Sequence, residues 1–163
     1  MKVQDVMTEN AKFCWPDTNL ATAAATMWEN DCGVLPVLAD GRTAIGVITD
    51  RDIAIALGTR NRKASDIKVR EVISGKLCTA NPEDDIHTAL KIMRREKVHR
   101  LPVIDAEGAL KGVLSLNDVA LQAAHPNGKK TPELNYEDVV ATLKAICEHR
   151  PAKAKARFAA AKV

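Results

Sequence analysis

Apolar residues recur at helical spacing twice along the chain. Ile86, Ala89, Leu90 and Met93 fall at i, i+3, i+4 and i+7, one face of an amphipathic helix, and Leu20, Ala23, Ala24 and Met27 give the same face earlier. Pro16 and Pro82 stand just before these helices, where Pro closes off a preceding strand. A short apolar run with Pro inside it follows each helix: Val34-Leu-Pro-Val-Leu38 and Arg100-Leu-Pro-Val-Ile104. Both read as strands. Pro cannot donate to a ladder, so each strand is expected at an edge or irregular at its start. Asp40-Gly41 and Glu107-Gly108 supply turn chemistry. Strands Ala44–Ile48 and Leu110–Leu114 come next, and their all-apolar centres predict burial on both faces. Short helices are expected from Asp50 to about Leu57, with Ile53, Ala54 and Leu57 inward, and from Leu116 to about Ala124, with Val119 and Ala120 inward.

These elements are one unit written twice. Residues 3–56 align with 69–122 at an offset of 66, with identities that include Leu35-Pro36-Val37 and Leu101-Pro102-Val103, Gly46-Val47 and Gly112-Val113, and Asp52 and Asp118. A repeat this long is one supersecondary unit used twice. Each unit reads strand, helix, strand, strand, helix, so the fold class is α/β (α+β). Two such units packed face to face make a pseudo-symmetric groove, where ligands usually sit. The expected division is a first unit over 1–57, a polar linker over 58–68 and a second unit over 69–124. An extension over 125–151 follows, opened by His125-Pro126-Asn127-Gly128. In it Asn135 can cap a helix with Asp138 at its third position, an apolar stripe of Val139, Val140, Leu143, Ile146 and Cys147, and a stop at Arg150-Pro151. That helix either packs on its own body or serves a dimer or partner. Residues 152–163, rich in Ala and Lys, are expected to be frayed or disordered.

Composition narrows the class. At 163 residues and 46% hydrophobic the chain supports a real core, and with two Trp, two Phe and one Tyr that core is aliphatic. The net charge is +3, but Lys153, Lys155, Arg157 and Lys162 carry four positive charges at the end without an acid, leaving the body at −1. The body is therefore not a basic nucleic-acid platform, and nucleic acid is an unfavoured partner even for the tail. Cys14, Cys32, Cys78 and Cys147 are widely spaced with no C-x-x-C, which reads as small buried filler and not as a disulfide framework. No apolar run approaches the roughly 18 residues of a membrane helix, and no signal-peptide core opens the chain. The expectation is a soluble cytoplasmic protein with reduced thiols and no membrane contact.

Candidate chemistry recurs with the repeat. Each unit places a hydroxyl at the end of its last strand and an Asp three residues on: Thr49 with Asp52, Ser115 with Asp118. Such a pair is a capping box, which satisfies orphan amides at a helix start. The same geometry suits a ribose phosphate, because helix amides favour an anion and an Asp one turn in can accept ribose hydroxyls. Arg51 opposes the helix dipole in the first turn unless an anion sits there; otherwise it is a solvated surface cation. Its counterpart is Asn117. The second unit has His99-Arg100 where the first has Gly33-Val34. Arg100 could clamp a phosphate bidentately, or lie exposed at a strand edge; His99 reads first as a surface or half-buried imidazole. No Ser/His/Asp or Cys/His order stands out, and Cys147-Glu-His149 has no further metal ligands nearby.

Taken together, Val3-Gln-Asp-Val-Met7, Leu35-Pro36-Val37, Gly46-Val-Ile-Thr-Asp-Arg-Asp52 and the matching run to Asp118 make residues 1–124 resemble a tandem pair of CBS domains, often called a Bateman module. Val98-His-Arg-Leu-Pro-Val103 with Gly112-Val-Leu-Ser-Leu-Asn-Asp118 is similar to the γ regulatory subunits of AMP-activated protein kinase. The resemblance implies β-α-β-β-α units about a pseudo-twofold and a non-catalytic role. It implies clefts for adenosine-containing ligands, AMP, ADP or ATP first, with NAD(H) or S-adenosylmethionine in some members. By position, Asp52 and Asp118 would take ribose hydroxyls, and Thr49 and Ser115 would touch ribose or phosphate. Arg51, His99 and Arg100 would face phosphate, and Asn117 would be a further ligand-binding residue. Phe13, Cys14, Cys78 and Thr79 would line the adenine pocket with Gly33, Leu35, Pro36 and Pro102. It also implies a homodimer, often a flat four-domain disc, acting on a separate protein partner. The first unit lacks the His-Arg pair and the second lacks the counterpart of Arg51, so the two clefts are expected to differ. The alternative is a dimerisation scaffold whose caps only cap.

Overall fold

The structure, a computed structural model, describes residues 1–73, 77–125 and 132–148. The first unit holds helix α1 (Leu20–Glu29), strands β2 (Val34–Leu38) and β3 (Ala44–Thr49), and helix α2 (Asp50–Arg60). The second repeats it with α3 (Ile86–Glu96), β4 (Arg100–Ile104), β5 (Leu110–Ser115) and α4 (Leu116–Gln122). A short strand β1 (Thr8–Glu9) precedes them and α5 (Tyr136–Cys147) follows. The fold is α/β (α+β), two β-α-β-β-α repeats about a pseudo-twofold with a C-terminal helix. Strands β2 and β3 form an antiparallel hairpin, and β1-β5-β4 an antiparallel sheet.

The opening strand of each unit is a single bridging residue. Cys14 N–H donates to Pro36 O at 3.0 Å and Leu38 N–H to Cys14 O at 3.0 Å; Ala80, Pro102 and Ile104 repeat the pair at 3.1 and 3.0 Å. This explains the prolines. Each sits where the parallel ladder stops, with its missing N–H on that side, so neither pairing is interrupted. At the other end the hairpins meet: the repeat mates Thr43 and Ala109 form an antiparallel bridge.

The segment before each unit docks on the other unit. Val3 and Val6 lie in the core of the second unit with Ile86, Leu90, Leu101 and Leu114, whereas Ile67 and Val69 lie in the core of the first with Leu20, Leu35 and Ile48. Val3 N–H bonds Asp84 O at 2.9 Å, and its mate Val69 N–H bonds Thr18 O at 2.8 Å. The two units are therefore tied by exchanged arms as well as by their hairpin tips.

Helix faces agree with the spacing in α3, where Ile86, Ala89, Leu90 and Met93 are all buried. In α1 Leu20, Ala23 and Met27 are buried but Ala24 is exposed. Helix α2 runs on to Arg60 and turns a narrower face inward than expected: Ile53 and Ala56 are buried, Ala54 and Leu57 exposed. In α4 Leu116 and Val119 are buried, as is Ala123 just past its end, and Ala120 is exposed. Strand β3 is buried on one face, with Ile45 exposed, while β5 buries Gly112, Val113 and Leu114. These helices lie on the outer side of small sheets, so one stripe of each reaches the core and a second alanine beside it remains in solvent.

Helix α5 packs on α3 and α4. Asn135 Oδ1 accepts Asp138 N–H at 3.1 Å and Asp138 Oδ2 accepts Asn135 N–H at 3.1 Å, the expected cap. Of the expected stripe Ile146 is buried and Val139 half-buried; Val140, Leu143 and Cys147 are exposed, and Thr142 is buried instead, donating to Asp138 O at 2.7 Å. The helix stop at Arg150-Pro151, the tail 152–163 and His149 lie outside the described residues. Among the described residues no helix is long and apolar enough to cross a membrane.

All four cysteines are free. Burial in the first core pushes the Cys14 thiol up to about 11, so only about one part in a thousand is thiolate at pH 8. On brief alkylation at pH 8, mass spectrometry should find exposed Cys147 modified and Cys14 intact; equal labelling would show that the first core opens readily.

Candidate functional site

The strongest constellation forms around Asp118. Ser115 closes β5 and caps α4: its Oγ accepts Asp118 N–H at 3.2 Å and donates to Asp118 Oδ2 at 2.6 Å, and its own N–H donates to Oδ2 at 2.7 Å. One carboxylate oxygen is thus committed to the cap. The other, Oδ1, accepts from Thr8 Oγ1 at 3.1 Å, and Thr8 and Asp118 both line a cleft of about 360 Å³. Thr8 reaches Asp118 because β1 pairs with β5, placing Thr8 opposite Val113.

That cleft lies between the units. The segment from Thr8 to Lys12 forms one wall, Asp31 to Val34 another, and Ser115, Asn117 and Asp118 the floor at the α4 start. Arg100 enters from the head of β4 and Lys12 from the arm, giving two cations beside one half-committed carboxylate. Gly33 is pressed between Asp50 and Arg100: a Cβ there would lie 2.9 Å from Asp50 Oδ2 and 3.4 Å from an Arg100 guanidinium nitrogen. A side chain at this position would intrude on the cleft. Together these groups offer an acceptor for vicinal hydroxyls and cations for a phosphate, with Ala11, Val34 and Val113 as the apolar part of the lining.

The residues singled out in the sequence are distributed more widely. Gly33, Arg100, Ser115, Asn117 and Asp118 share the Asp118 cleft. His99 is exposed and lines a neighbouring hollow with Val139 and Leu143 of α5, its carbonyl accepting Leu116 N–H at 2.9 Å. Thr49 and Asp52 form the matching cap in the first unit, with Thr49 Oγ1 donating to Asp52 Oδ2 at 2.7 Å and exposed Arg51 between them. The repeat mate of Thr8 is Ser74, outside the described residues, and so is part of the wall that would face Asp52. Leu35, Pro36 and Pro102 are buried in the cores, as is Cys14; Cys78 packs against the second core and Thr79 is half-buried. Phe13 lines a separate hollow with Leu38, Gly41 and Leu110, its ring edge-on to Trp15 at 5.5 Å. The wall beside Asp118 is therefore built by 8–12, which sequence reasoning passed over. Its signal was available: a hydroxyl recurs there too, as Thr8 and Ser74. Among the described residues no group of three or more His, Cys, Asp or Glu could hold a metal.

The family whose description is "CBS domain" matches residues 3–59 and 65–124. The chain belongs to the CBS-domain family. Among relatives, the CBS domain-containing protein YhcV of Bacillus subtilis (strain 168) is 32% identical over 119 residues, 73% of this chain and 83% of that protein. A homoserine O-acetyltransferase of Methanococcoides burtonii is 32% identical over 117 residues, 72% of this chain but only 23% of that enzyme, where the CBS pair is one part of a longer protein. Among solved structures, CBSX2 in complex with AMP superposes with a TM-score of 0.64 at 27% identity, covering 74% of this chain and 96% of that one. The CBS pair therefore serves both as a stand-alone protein and as a part of larger enzymes.

Proposed function

We propose that this CBS pair is a non-catalytic regulatory module that binds an adenine nucleotide, AMP, ADP or ATP, in the cleft at Asp118. The observation that carries the reading is the divided carboxylate: Oδ2 completes the helix cap while Oδ1 stays outside it, bonded only by the Thr8 hydroxyl among the described residues, in a residue that lines the cleft with Arg100 and Lys12. Capping and binding are then not rivals, since the cap orients the acceptor that the ribose needs. In this reading Asp118 Oδ1 takes ribose hydroxyls, Arg100 and Lys12 take phosphate, and Gly33 leaves room for the base. The structural likeness of CBSX2, which was solved with AMP, supports the ligand class.

Ligand binding would clamp the arm 8–12 and the head of β4 against α4, stiffening the contact between units. A signal passes on only if a second state binds the ligand less well, and a protein partner or a second copy of the chain would read the difference. The four free thiols fit a cytoplasmic setting.

A thermal-shift panel with AMP, ADP, ATP, NADH and S-adenosylmethionine tests the class. A ligand at about 100 times its dissociation constant stabilises by about 2.7 kcal/mol, or roughly 5–10 °C for a chain of this size. A shift with one or more of the adenine mononucleotides is expected. A shift confined to NADH or S-adenosylmethionine would replace the ligand, and a flat panel on nucleotide-free protein would replace the reading with a scaffold.

A further inference from the structure

The two units share a fold but not a cover. Helix α5 lies across α3 and α4, burying Thr142 and Ile146. Its end is held by Lys97, whose Nζ donates to Glu148 O at 3.0 Å and lies 3.5 Å from the Glu148 carboxylate. The repeat mates of α3 and α4 are α1 and α2, and no helix like α5 lies across them among the described residues. Trp28 is 88% exposed there, at the edge of a hollow of about 510 Å³ that it walls with Ala24, Met27 and Ile53. An uncovered indole beside a hollow lined by both apolar and charged side chains marks a docking surface for an occupant that is itself both apolar and charged.

Charge is reversed between the two grooves. Asp31 stands at the position of Lys97, and both adopt a left-handed backbone, φ 47° and 55°. Trp28 stands where the second unit has Arg94. Asp31 and Asp50 line the hollow, and Arg100 is the one cation in its lining among the described residues, on the other side of Gly33 from Asp50. An occupant of the first groove should therefore bring cations where α5 brings Glu148, and apolar side chains for Trp28. Residues 152–163 have that composition: Phe158 among alanines, with Lys153, Lys155, Arg157 and Lys162 and no acid. They also start in the right place. Val139 and Leu143 of α5 line a hollow with Arg100 and Asn117, and those same two residues line the hollow at Trp28. The 15 residues that follow Glu148, 149–163, span at most roughly 50 Å, ample to pass Arg100 and enter the groove.

We propose that the basic segment 152–163 docks in the α1/α2 groove of the first unit, Phe158 and its alanines against Trp28 and Ala24, its cations at Asp31 and Asp50. The segment is then a second cover, of opposite charge to the first. Because the groove shares Arg100, Asn117 and Asp31–Gly33 with the Asp118 cleft, the docked segment would adjoin that cleft.

The test uses the full chain carrying Trp15→Phe, which leaves Trp28 as the sole tryptophan. Acrylamide quenching of Trp28 fluorescence is compared with the same chain carrying Arg157→Glu and Phe158→Glu. Docking predicts a several-fold larger quenching constant in the tail variant. Asp31→Lys should also raise it, and adding Lys153→Glu, Lys155→Glu and Arg157→Glu to Asp31→Lys should restore protection. Lysine is acceptable at 31, since Lys97 holds the same backbone in the mate. Equal quenching in every variant would overturn the proposal. So would protection that survives the tail changes and grows with protein concentration, which would give the face to a second copy of the chain.

Discussion

Replacing Asp118 with Asn is expected to lower the affinity for AMP by about 10- to 100-fold, the effect of losing charge-assisted hydrogen bonds worth about 1.5–3 kcal/mol. The substitution keeps the side-chain shape and removes the charge. It also weakens the cap, because an amide nitrogen cannot accept from Ser115 N–H and Oγ–H, which both donate to Oδ2. Loss of a cap costs about 1 kcal/mol, or roughly 2–4 °C at this chain length. Calorimetric titration and a melting curve on the same samples separate the two roles. A melting point lowered by that amount with unchanged AMP affinity would make Asp118 a cap and nothing more. Asp118→Ala should lose both functions more fully, since it also releases Thr8.

Gly112→Ala should do more damage than its size suggests. A Cβ at Gly112 would lie 2.4 Å from the carbonyl oxygen of Thr8, a backbone atom that cannot rotate away. Thr8 and Glu9 pair with Val113 and Gly112, so relief of the clash means lifting β1 off β5. Overpacking of this kind costs about 1–3 kcal/mol, and here it has a functional consequence. With β1 displaced, Thr8 leaves Asp118 and the wall over 8–12 swings out of the cleft. The expected result is a melting point lower by roughly 3–10 °C together with loss of most AMP affinity. An Ala variant that binds AMP normally would show that the arm takes no part in the site.

Much of the fold is legible in the residues because local signals agree with the global arrangement. The face of α3, the two hydroxyl–Asp caps and the Pro-bearing strands each follow from spacing and backbone chemistry. What the sequence conceals is which unit each arm serves. Duplication gives both units the same docking surface, so the pattern of Val3 and Val69 fits either partner; only three dimensions show that Val3 bonds Asp84 and Val69 bonds Thr18. The exchange also moves the cleft wall. The family resemblance puts 13–14 and 78–79 at the adenine pocket, but Cys14 turns into the first core while Thr8, carried across by β1, reaches Asp118 in the second unit. Alanines were a second source of error. Ala24, Ala54 and Ala120 continue apolar stripes yet lie in solvent, since a methyl group gains too little from burial to choose a face.

The central claim is that an adenine nucleotide sits against Asp118. The most direct measurement is an amide NMR titration of the nucleotide-free chain with AMP. The account predicts saturable shifts at Thr8, Lys12, Gly33 and the 115–118 amides that open α4, reduced sharply in Asp118→Asn. Saturable shifts confined to other parts of the molecule, or none at millimolar AMP, would contradict it.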